Sequence, residues 1–378
     1  MQYRQFGSLD FNVSALGFGT MRLPIIGEDK AKINKKQAIA IIRYAIDFGV
    51  NYIDTAFPYH DGQSEIVVGK ALKNGYRQKT KLASKLPAWL ISSKKDFDHY
   101  LNLQLKKLDT DHLDFYLLHA LNQTTWPLIR DLEVLPWAES AIRDGRIGYL
   151  GFSFHDQLPL FKQIIDAYDN WAFCQIQYNI LDLDFQAGLE GLRYASKKGL
   201  AVVIMEPLKG GALANPPAVI KNIYQKADPS RTPVDWALQW LWHQPEVSLL
   251  LSGMSTMDQL KQNLASADRS AVGSLSLADQ EIIKKVQTAY QKIADILCTD
   301  CRYCQPCPQN INISKIFSIY NQFKIGGSLS SARSSYQSLP DDQKANRCLN
   351  CNKCVKACPQ NIDIPAHLTA IHRQLHQG

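Results

Sequence analysis

The chain has 378 residues, 46% of them hydrophobic, which is enough for one large domain of about 250 residues and a smaller appended region. Its formal charge of +7 comes from scattered lysines and arginines rather than from runs of them, so composition gives no indication of nucleic-acid binding. No stretch approaches the roughly 18 apolar residues of a membrane span, and the N-terminus MQYRQFGSLD lacks a signal-peptide pattern. We therefore expect a cytoplasmic protein without a membrane anchor.

From residue 1 to about 270, short β-rich runs alternate with amphipathic helical stretches. The eight predicted strands are Ala15–Gly19, Tyr52–Thr55, Lys81–Lys85, Asp114–His119, Gly148–Ser153, Phe173–Tyr178, Ala201–Met205 and Ser248–Ser252. The predicted helices between them include Gln37–Phe48, Phe97–Leu108, Leu135–Asp144, Leu160–Tyr168, Leu189–Lys198 and Val234–Trp242. This alternation predicts an α/β fold, a parallel (β/α)8 TIM barrel. A doubly wound sheet is the alternative, but no GxGxxG follows the first strand.

The remaining segments predict a small, mainly helical C-terminal part. Residues 211–233 contain four prolines and predict a long loop after the seventh strand. Residues 275–297 predict one helix that begins after Ser276, Ile313–Phe323 predicts another, and residues 326–335 predict a polar connector. We therefore divide the chain into a barrel over residues 1–270, a connecting helix over 271–297 and a third domain over 298–378.

Eight of the nine cysteines lie in this third domain, in two clusters. They are Cys298, Cys301, Cys304, Cys307, Cys348, Cys351, Cys354 and Cys358. In each cluster a CxxCxxC spacing is followed by a fourth cysteine next to a proline, as in bacterial ferredoxins, and the clusters end in the similar phrases CPQNINIS and CPQNIDIP. This pattern predicts a ferredoxin-like domain with two [4Fe–4S] clusters that transfers electrons. Two tetrahedral zinc sites are the alternative.

The pairing of these cysteines follows from the ferredoxin pattern, in which the fourth cysteine of each motif binds the other cluster. Carried over, Cys358 completes the cluster of Cys298, Cys301 and Cys304, and Cys307 completes that of Cys348, Cys351 and Cys354. The first motif has two residues instead of three before its last cysteine, which leaves the place of Cys307 open. The ninth cysteine, Cys174, lies in an apolar run and is expected in the core.

Four polar residues fall at or just after predicted strand ends, where barrel enzymes carry their chemistry: Asp54, Tyr59, Lys85 and His119. Singly, each has a structural interpretation, such as a capping acid or a core histidine. As a set, they resemble the catalytic tetrad of the aldo-keto reductases, whose motif also includes counterparts of Gly49, Ser64 and Glu65. The resemblance covers about residues 1–270.

The resemblance implies reduction of an aldehyde or ketone, with a role for each residue of the tetrad. Tyr59 would protonate the developing alkoxide, and His119 would hydrogen-bond the substrate oxygen. We expect the nearby Lys85 ammonium to lower the pKa of Tyr59, and Asp54 to keep Lys85 charged and oriented.

The resemblance also implies a nicotinamide cofactor, NADP(H) or NAD(H). Matching positions are Gly19, Thr20, Ser153, Gln175, Met205, Pro207, Leu208, Gly210, Gly253, Ser255, Gln259 and Asn263. Met205 replaces the tyrosine that usually stacks on nicotinamide. Gly253 and Gln259 replace the Lys and Arg that many members place against the 2′-phosphate, so the choice of coenzyme stays open.

Members of the family with a ferredoxin-like C-terminal extension resemble the full chain. This favours an oxidoreductase whose clusters exchange electrons with a partner such as a ferredoxin or flavoprotein. Hydride transfer moves two electrons, whereas an iron–sulfur cluster passes one at a time. Either two clusters in sequence or a flavin must therefore link the two-electron step to the one-electron steps. The alternatives are a carbonyl reductase with structural clusters and a non-catalytic electron carrier. Four aromatic residues suggest an apolar or aromatic carbonyl substrate: Trp89, Trp126, Trp137 and Tyr178.

Overall fold

The computed structural model describes residues 1–291, 296–324 and 328–376. The chain divides into two compact units. The first consists of Met1–Pro207 and Val234–Ser276, and the second of Leu208–Pro233 and Leu277–Gly378. The segment Leu208–Pro233 therefore belongs to the second unit, although both of its ends continue into the barrel sequence. The predicted division at residue 270 did not anticipate this.

The first unit contains a short hairpin and a closed barrel. The hairpin strands are β1 (Tyr3–Gln5) and β2 (Asn12–Ser14). The barrel strands are β3 (Leu16–Gly19), β4 (Tyr52–Asp54), β5 (Lys81–Leu86), β6 (Leu113–Leu121), β7 (Ile147–Phe154), β8 (Phe173–Gln177), β9 (Ala201–Met205) and β10 (Leu249–Gly253). All eight are parallel and paired in chain order, with β10 closing against β3. The predicted TIM barrel is confirmed.

Helices follow the strands, as the 3.6-residue apolar periodicity of these segments predicts. In chain order they are α1 (Lys35–Asp47), α2 (Ser64–Ala71), α3 (Lys95–Leu108), α4 (Thr125–Asp131), α5 (Val134–Arg143), α6 (Leu158–Asp166), α7 (Gly188–Lys197), α8 (Ala218–Ala227), α9 (Pro233–Trp242) and α10 (Met257–Asp268). Of these, α8 lies within the second unit. The six helices predicted between the strands are thus confirmed to within about two residues at their ends.

An aromatic cluster closes the N-terminal end of the barrel. Phe6, next to β1, packs against Phe115 and Phe173, with ring centroids 4.9 and 5.7 Å apart. The same buried cluster includes Tyr52 and Ala201, the first residues of β4 and β9. The hairpin that carries Phe6 was not predicted from the sequence. Because it covers this end, the carboxyl ends of the strands are left for chemistry.

Within the described residues, the regular structure of the second unit is helical. Its remaining helices are α11 (Leu277–Gln291), α12 (Ile313–Lys324), α13 (Leu329–Gln337), α14 (Lys353–Ala357) and α15 (Ile364–Leu375). In this unit α8 packs against α11, and α12, α13 and α15 pack against one another. Their buried side chains, among them Phe317, Tyr336 and Ile371, form a core of their own.

Three predicted segments of this unit differ from the structure. The predicted loop 211–233 contains α8, and the predicted connector 326–335 is helical from Leu329, with residues 326 and 327 outside the described ranges. In the predicted helix 275–297, α11 covers Leu277–Gln291, residues 292–295 lie outside the described ranges, and Ile296 and Leu297 are not helical. The helix predicted at Ile313–Phe323 is confirmed by α12. No helix within the described residues is long and apolar enough to cross a membrane.

Candidate active site and cysteine-rich centre

Neighbouring barrel strands bring the four predicted catalytic residues together. Asp54 ends β4, Lys85 is the penultimate residue of β5, and His119 lies near the end of β6. These strands pair in the order β4, β5, β6, so their carboxyl ends adjoin. Tyr59 lies five residues beyond β4, and its ring meets that of His119 edge to face at a centroid distance of 6.1 Å.

Lys85 is the centre of this group, and its side chain is fully buried. Its ammonium donates to the carboxylate of Asp54 (Nζ to Oδ1, 2.6 Å), the carbonyl of Thr55 (2.8 Å) and the hydroxyl of Tyr59 (3.3 Å). An ammonium has three hydrogens to donate, and each finds an oxygen here. The contacts therefore fix the Lys85 charge next to the Tyr59 oxygen.

Burial and pairing oppose each other in the Asp54–Lys85 pair. Burial raises the pKa of Asp54 and lowers the pKa of Lys85, because it penalises the charged form of each group. The contact between them opposes both shifts, and the nearby Glu65 also favours the charged form of Lys85. At 2.6 Å the two groups form a buried ion pair.

The predicted lowering of the pKa of Tyr59 was wrong. Burial raises the pKa of Tyr59 well above 10, and the charges of Asp54 and Glu206 add to the shift. Tyr59 therefore keeps its proton at neutral pH. Lys85 still donates to its oxygen, which is the contact that stabilises a phenolate as it forms.

His119 is neutral at physiological pH and sits on a β-bulge. Burial, together with the charges of Lys85 and His155, lowers the pKa of His119 well below 6.5. The register between β6 and β7 shifts between Leu118 and Leu121, and Ala120 adopts a positive φ of 55°. Bulges next to active sites re-aim side chains. The Nδ1 atom of His119 is buried without a hydrogen-bond partner among the described residues.

A buried polar network lies behind Lys85. The carboxylate of Glu65, fully buried in α2, accepts hydrogen bonds from Ser84 (2.7 Å) and from Gln104 (2.6 Å). The Gln104 amide also donates to the carbonyl of Lys85 at 3.1 Å. The network fixes the backbone of β5 at the residue that carries the ammonium. It accounts structurally for Glu65, whereas Gln104 could not be selected from the sequence.

Ser153 and Gln175, predicted to bind the carboxamide of nicotinamide, are cross-strand neighbours on β7 and β8. The Ser153 hydroxyl accepts from the N–H of Ala120 at the bulge (2.8 Å). The Gln175 amide donates to the sulfur of Met205 at 3.7 Å, and its Oε1 is buried with no partner in the described part of the chain. A buried amide oxygen without a donor is a position where a bound group supplies one.

Most of the other predicted cofactor residues already have structural partners. Gly19 ends β3, and the buried Thr20 hydroxyl donates to the carbonyl of Asp54 at 2.9 Å. Around the start of α10, Ser255 donates to the carbonyl of Arg22 (2.7 Å), Gln259 closes a capping box with Thr256, and Asn263 donates to Ser252 (3.0 Å). Gly253 ends β10, with the aliphatic part of Arg22 against its Cα.

Three predicted cofactor residues fall at the division between the units. Pro207 is the last residue of its segment of the first unit, whereas Leu208 and Gly210 belong to the second. Gly210 has a positive φ of 63°, and its backbone lies against the carbonyl of Thr299, so that an added Cβ would be 2.2 Å from that oxygen. The structure therefore groups Leu208 and Gly210 with the first cysteine loop instead of with the barrel residues.

Of the four aromatic residues predicted for the substrate pocket, Trp89 makes a ring contact with the tetrad. Its ring lies 5.0 Å from that of His119, and 42% of the residue is exposed. Trp126 and Tyr178 are buried, and the Trp137 indole donates to Asp98. The sequence analysis missed Glu206, which follows β9 with a φ of 56° and acts electrostatically on Tyr59. The signal that could have identified Glu206 is its position directly after β9, because acidic residues at the carboxyl ends of barrel strands are candidates for the active site.

The cysteines of the second unit fall into two electrostatic groups. Burial raises the pKa of Cys298 and of Cys304 to about 12, and Cys358 contributes to both shifts. Burial also raises the pKa of Cys354, and Cys348 and Cys307 contribute to that shift. Cys358 is thus near the first motif and Cys307 near the second. The assignment of each fourth cysteine to a cluster stays a prediction.

The cysteines also pack against the helical core. Six of them line it: Cys298, Cys304, Cys307, Cys348, Cys354 and Cys358. Within the described ranges, no group of three or more His, Cys, Asp or Glu side chains is placed to hold a single metal ion. The ninth cysteine, Cys174, is fully buried in β8, as predicted for a core residue.

Comparisons with known proteins agree with this geometry. The sequence model of the "Aldo/keto reductase family" matches residues 15–281, and that of a "4Fe-4S dicluster domain" matches residues 297–362. The chain therefore belongs to the aldo/keto reductase family and is an oxidoreductase that carries a C-terminal 4Fe-4S domain.

Two curated relatives come from Escherichia coli (strain K12). Protein tas is 28% identical over 351 residues, covering 76% of this chain and 99% of the relative. Methylglyoxal reductase YeaE is 30% identical over 217 residues, covering 56% of this chain and 70% of the relative. Among solved structures, the holo form of aldo-keto reductase AKR11C1 from Bacillus halodurans has a TM-score of 0.63 at 27% identity, covering 76% of this chain and 96% of its own.

Proposed function

We propose that this protein is a nicotinamide-dependent reductase of a small carbonyl compound, and that two C-terminal [4Fe–4S] clusters exchange electrons with a redox partner. The observation that carries the proposal is the Lys85 ammonium, held between the carboxylate of Asp54 and the hydroxyl of Tyr59. This arrangement supports proton donation to an oxygen at the carboxyl end of a barrel.

The chemistry divides between a hydride and a proton. A reduced nicotinamide, when bound, supplies the hydride to the carbonyl carbon. Tyr59 gives its proton to the carbonyl oxygen, and Lys85 stabilises the phenolate that remains. Asp54 keeps Lys85 charged, and the neutral imidazole of His119 supplies a hydrogen bond that orients the substrate oxygen.

The barrel residues fit a nicotinamide at one position in particular. Gln175, whose buried Oε1 is unpaired, would accept a hydrogen bond from the carboxamide of the cofactor, and Ser153 is its cross-strand neighbour. Gly253 and Gln259 offer no cation for a 2′-phosphate, so both NADP(H) and NAD(H) stay in the proposal.

The cysteine groups fit two clusters. We assign Cys298, Cys301, Cys304 and Cys358 to one, and Cys348, Cys351, Cys354 and Cys307 to the other. Support comes from the match to a dicluster domain and from the electrostatic effect of Cys358 on the first motif and of Cys307 on the second. Two clusters together would hold the two electrons of one hydride once its proton has passed to solvent, so either the two clusters in sequence or a flavin would link the two-electron and one-electron steps.

Trp89 favours a substrate with an apolar or aromatic part. Its indole is partly exposed beside His119, where a flat group next to the carbonyl could stack. A carbonyl reductase with purely structural clusters is the alternative function, favoured by the packing of six cysteines against the helical core.

An anaerobic titration of the iron-replete protein with NADPH, and separately with NADH, separates these two functions. Cluster bleaching at visible wavelengths and a reduced-cluster EPR signal would support electron exchange between nicotinamide and clusters. Clusters that stay oxidised in a protein that turns over a carbonyl substrate would support the structural role, once dithionite has shown that they are reducible.

The Tyr59→Phe variant tests the proton donor. It should lower carbonyl reduction by about 10²–10⁴-fold, because the group that protonates the alkoxide is gone, while cluster absorbance stays unchanged. Tyr149→Phe, which alters an exposed tyrosine on β7, is the matched control and should keep full activity. Undiminished turnover of Tyr59→Phe would overturn the assignment.

The Cys307→Ala and Cys358→Ala variants test whether each of these two cysteines is a cluster ligand. Each removes one ligand of one cluster, so each should retain about half of the iron and sulfide of the parent protein. Cys174→Ala is the control and should retain all of it, because Cys174 lies in the barrel core. Full iron content in either of the first two variants would contradict the assignment.

A further inference from the structure

The second cysteine loop is rich in basic side chains. Residues 343–362 contain Lys344, Arg347, Lys353 and Lys356 and no Asp or Glu. Lys344 forms an ion pair with Asp341 at 2.7 Å. Arg347, Lys353 and Lys356 form no ion pair with any described residue, and all three are exposed. Three unpaired cations therefore lie within ten residues of sequence.

The same loop exposes a cysteine and a large apolar side chain. Cys351 is exposed, whereas the other seven cysteines of the two motifs are partly shielded. Leu349, two residues earlier, is 69% exposed. We call the surface formed by Arg347, Leu349, Cys351, Lys353 and Lys356 the basic patch. It combines an exposed apolar side chain with three exposed cations in the same ten residues of sequence as a predicted cluster ligand.

The first cysteine loop lacks this combination. Its Arg302 contacts Asp300 within the loop at 3.0 Å, so its charges are balanced. Its four cysteines are all partly shielded, whereas Cys351 in the second loop is exposed. The two loops have nearly the same sequence pattern, yet they present different surfaces.

We propose that the basic patch is the docking surface for a small acidic one-electron carrier protein. The inference rests on the proposed function, in which Cys351 binds a cluster, and adds which of the two clusters the partner meets. In each encounter one electron passes between the carrier and this cluster, one oxidised as the other is reduced, with no bond made or broken.

The charge and size of the patch fit such a partner. Unpaired cations of one sign raise the rate of encounter with an anionic protein, an effect that falls steeply with ionic strength. Complexes of redox partners have small interfaces, which bury less than about 1,200 Å² of total surface, and they need few apolar contacts. Leu349 supplies an exposed apolar contact, and the cations near it in sequence would orient the carrier.

Binding is measured on the anaerobically purified protein with its clusters in place, using an acidic plant-type [2Fe–2S] ferredoxin as the probe. Calorimetry at stepwise NaCl concentrations should give an affinity that falls with salt. Lys353→Glu/Lys356→Glu should weaken binding at low salt by about tenfold or more and flatten the salt dependence. Neither lysine is a cluster ligand or part of the barrel site.

A matched control separates local charge from net charge. Lys226→Glu/Lys285→Glu makes the same change in net charge on exposed positions of α8 and α11 and should alter the affinity by no more than about twofold. Equal weakening by both double variants would overturn the docking surface. So would equally tight binding of the basic carrier cytochrome c, or binding of a short DNA duplex that depends on the same two lysines.

Cluster content is measured on the same samples, so that two kinds of failure are distinguishable. Absent cluster absorbance in the parent protein would overturn the proposed function and this inference with it. Intact clusters, reducible by dithionite in all variants, together with a ferredoxin affinity indifferent to Lys353 and Lys356, would overturn the docking surface alone.

Discussion

At the scale of single residues, Lys85 shows how burial prepares a group for chemistry. Its ammonium lies out of contact with water and donates to three oxygens, one of which belongs to the proposed acid Tyr59. A buried charge of this kind is tolerable only while its partner stays charged. The catalytic geometry and the stability of the barrel therefore depend on the same ion pair.

The Lys85→Met variant tests this dependence. It leaves the Asp54 carboxylate buried without its partner and should lower the free energy of unfolding by about 3–5 kcal/mol in urea denaturation. The double variant Asp54→Leu/Lys85→Met removes both charges and should recover most of that loss, although both variants lose activity. A double variant as unstable as the sum of the two single variants would show that the pair is not coupled.

His119 makes a separate prediction about pH. In the folded protein its pKa lies well below 6.5, so below about pH 6.5 the unfolded chain binds a proton that the folded chain does not. Each such histidine makes stability fall with decreasing pH, by up to about 1.4 kcal/mol per pH unit, from pH 6.5 down to its folded pKa. His119→Gln should make the acid limb of the stability–pH curve shallower by that slope. Parallel curves for parent and variant would contradict the prediction.

At the scale of elements, Gly210 ties the segment after β9 to the first cysteine loop of the second unit. Its backbone lies against Thr299 with a left-handed φ that a side chain rarely adopts. The neighbouring Gly211 also has a positive φ, of 96°, but faces open space. Comparing substitutions at the two positions therefore separates the effect of backbone strain from the effect of a close contact.

The variants Gly210→Ala and Gly211→Ala are therefore a matched pair. Both add the strain of a left-handed residue, about 1–2 kcal/mol, but only Gly210→Ala also forces a methyl group into the Thr299 carbonyl, at a further cost of about 1–3 kcal/mol. Hydrogen exchange of residues 296–310 should increase in Gly210→Ala and change much less in Gly211→Ala. Equal effects would mean that the close contact contributes nothing.

The strands and the site residues that they carry also show how much of the structure could be predicted from the sequence. All eight barrel strands were predicted, because buried parallel strands are continuous apolar runs bounded by glycines and helices. The meeting of Asp54, Lys85 and His119 followed, since parallel strands bring their carboxyl ends together. The bulge at Ala120 could not be predicted, because one extra residue in a strand leaves the apolar pattern almost unchanged. The raised pKa of Tyr59 depends on burial and on Glu206, which no local pattern encodes.

Short helices of the second unit were missed for a different reason. Both α8 and α13 lie in segments rich in proline, glycine or serine, which locally favour turns. Each is held by tertiary packing, α8 against α11 and α13 against α12 and α15. Packing of this kind overrides weak local propensity.

At the scale of the whole molecule, the chain contains two cores of different construction. The barrel buries a large apolar interior closed by an aromatic cluster, whereas the second unit has a smaller helical core lined by six cysteines. Small domains depend more on metal ligation for stability. The two units should therefore respond differently to the loss of iron.

Removal of the clusters by anaerobic chelation should destabilise the second unit and leave the barrel folded. Hydrogen exchange should rise in α12, α13 and α15, whose side chains pack against the cysteines, and stay unchanged in the barrel strands. Thermal unfolding of the iron-free protein should then show a low transition for the second unit before that of the barrel. If both units lost protection together, the stability of the barrel would depend on the clusters. Unchanged protection in the second unit would mean that its apolar core suffices without iron and that the clusters do not stabilise its fold.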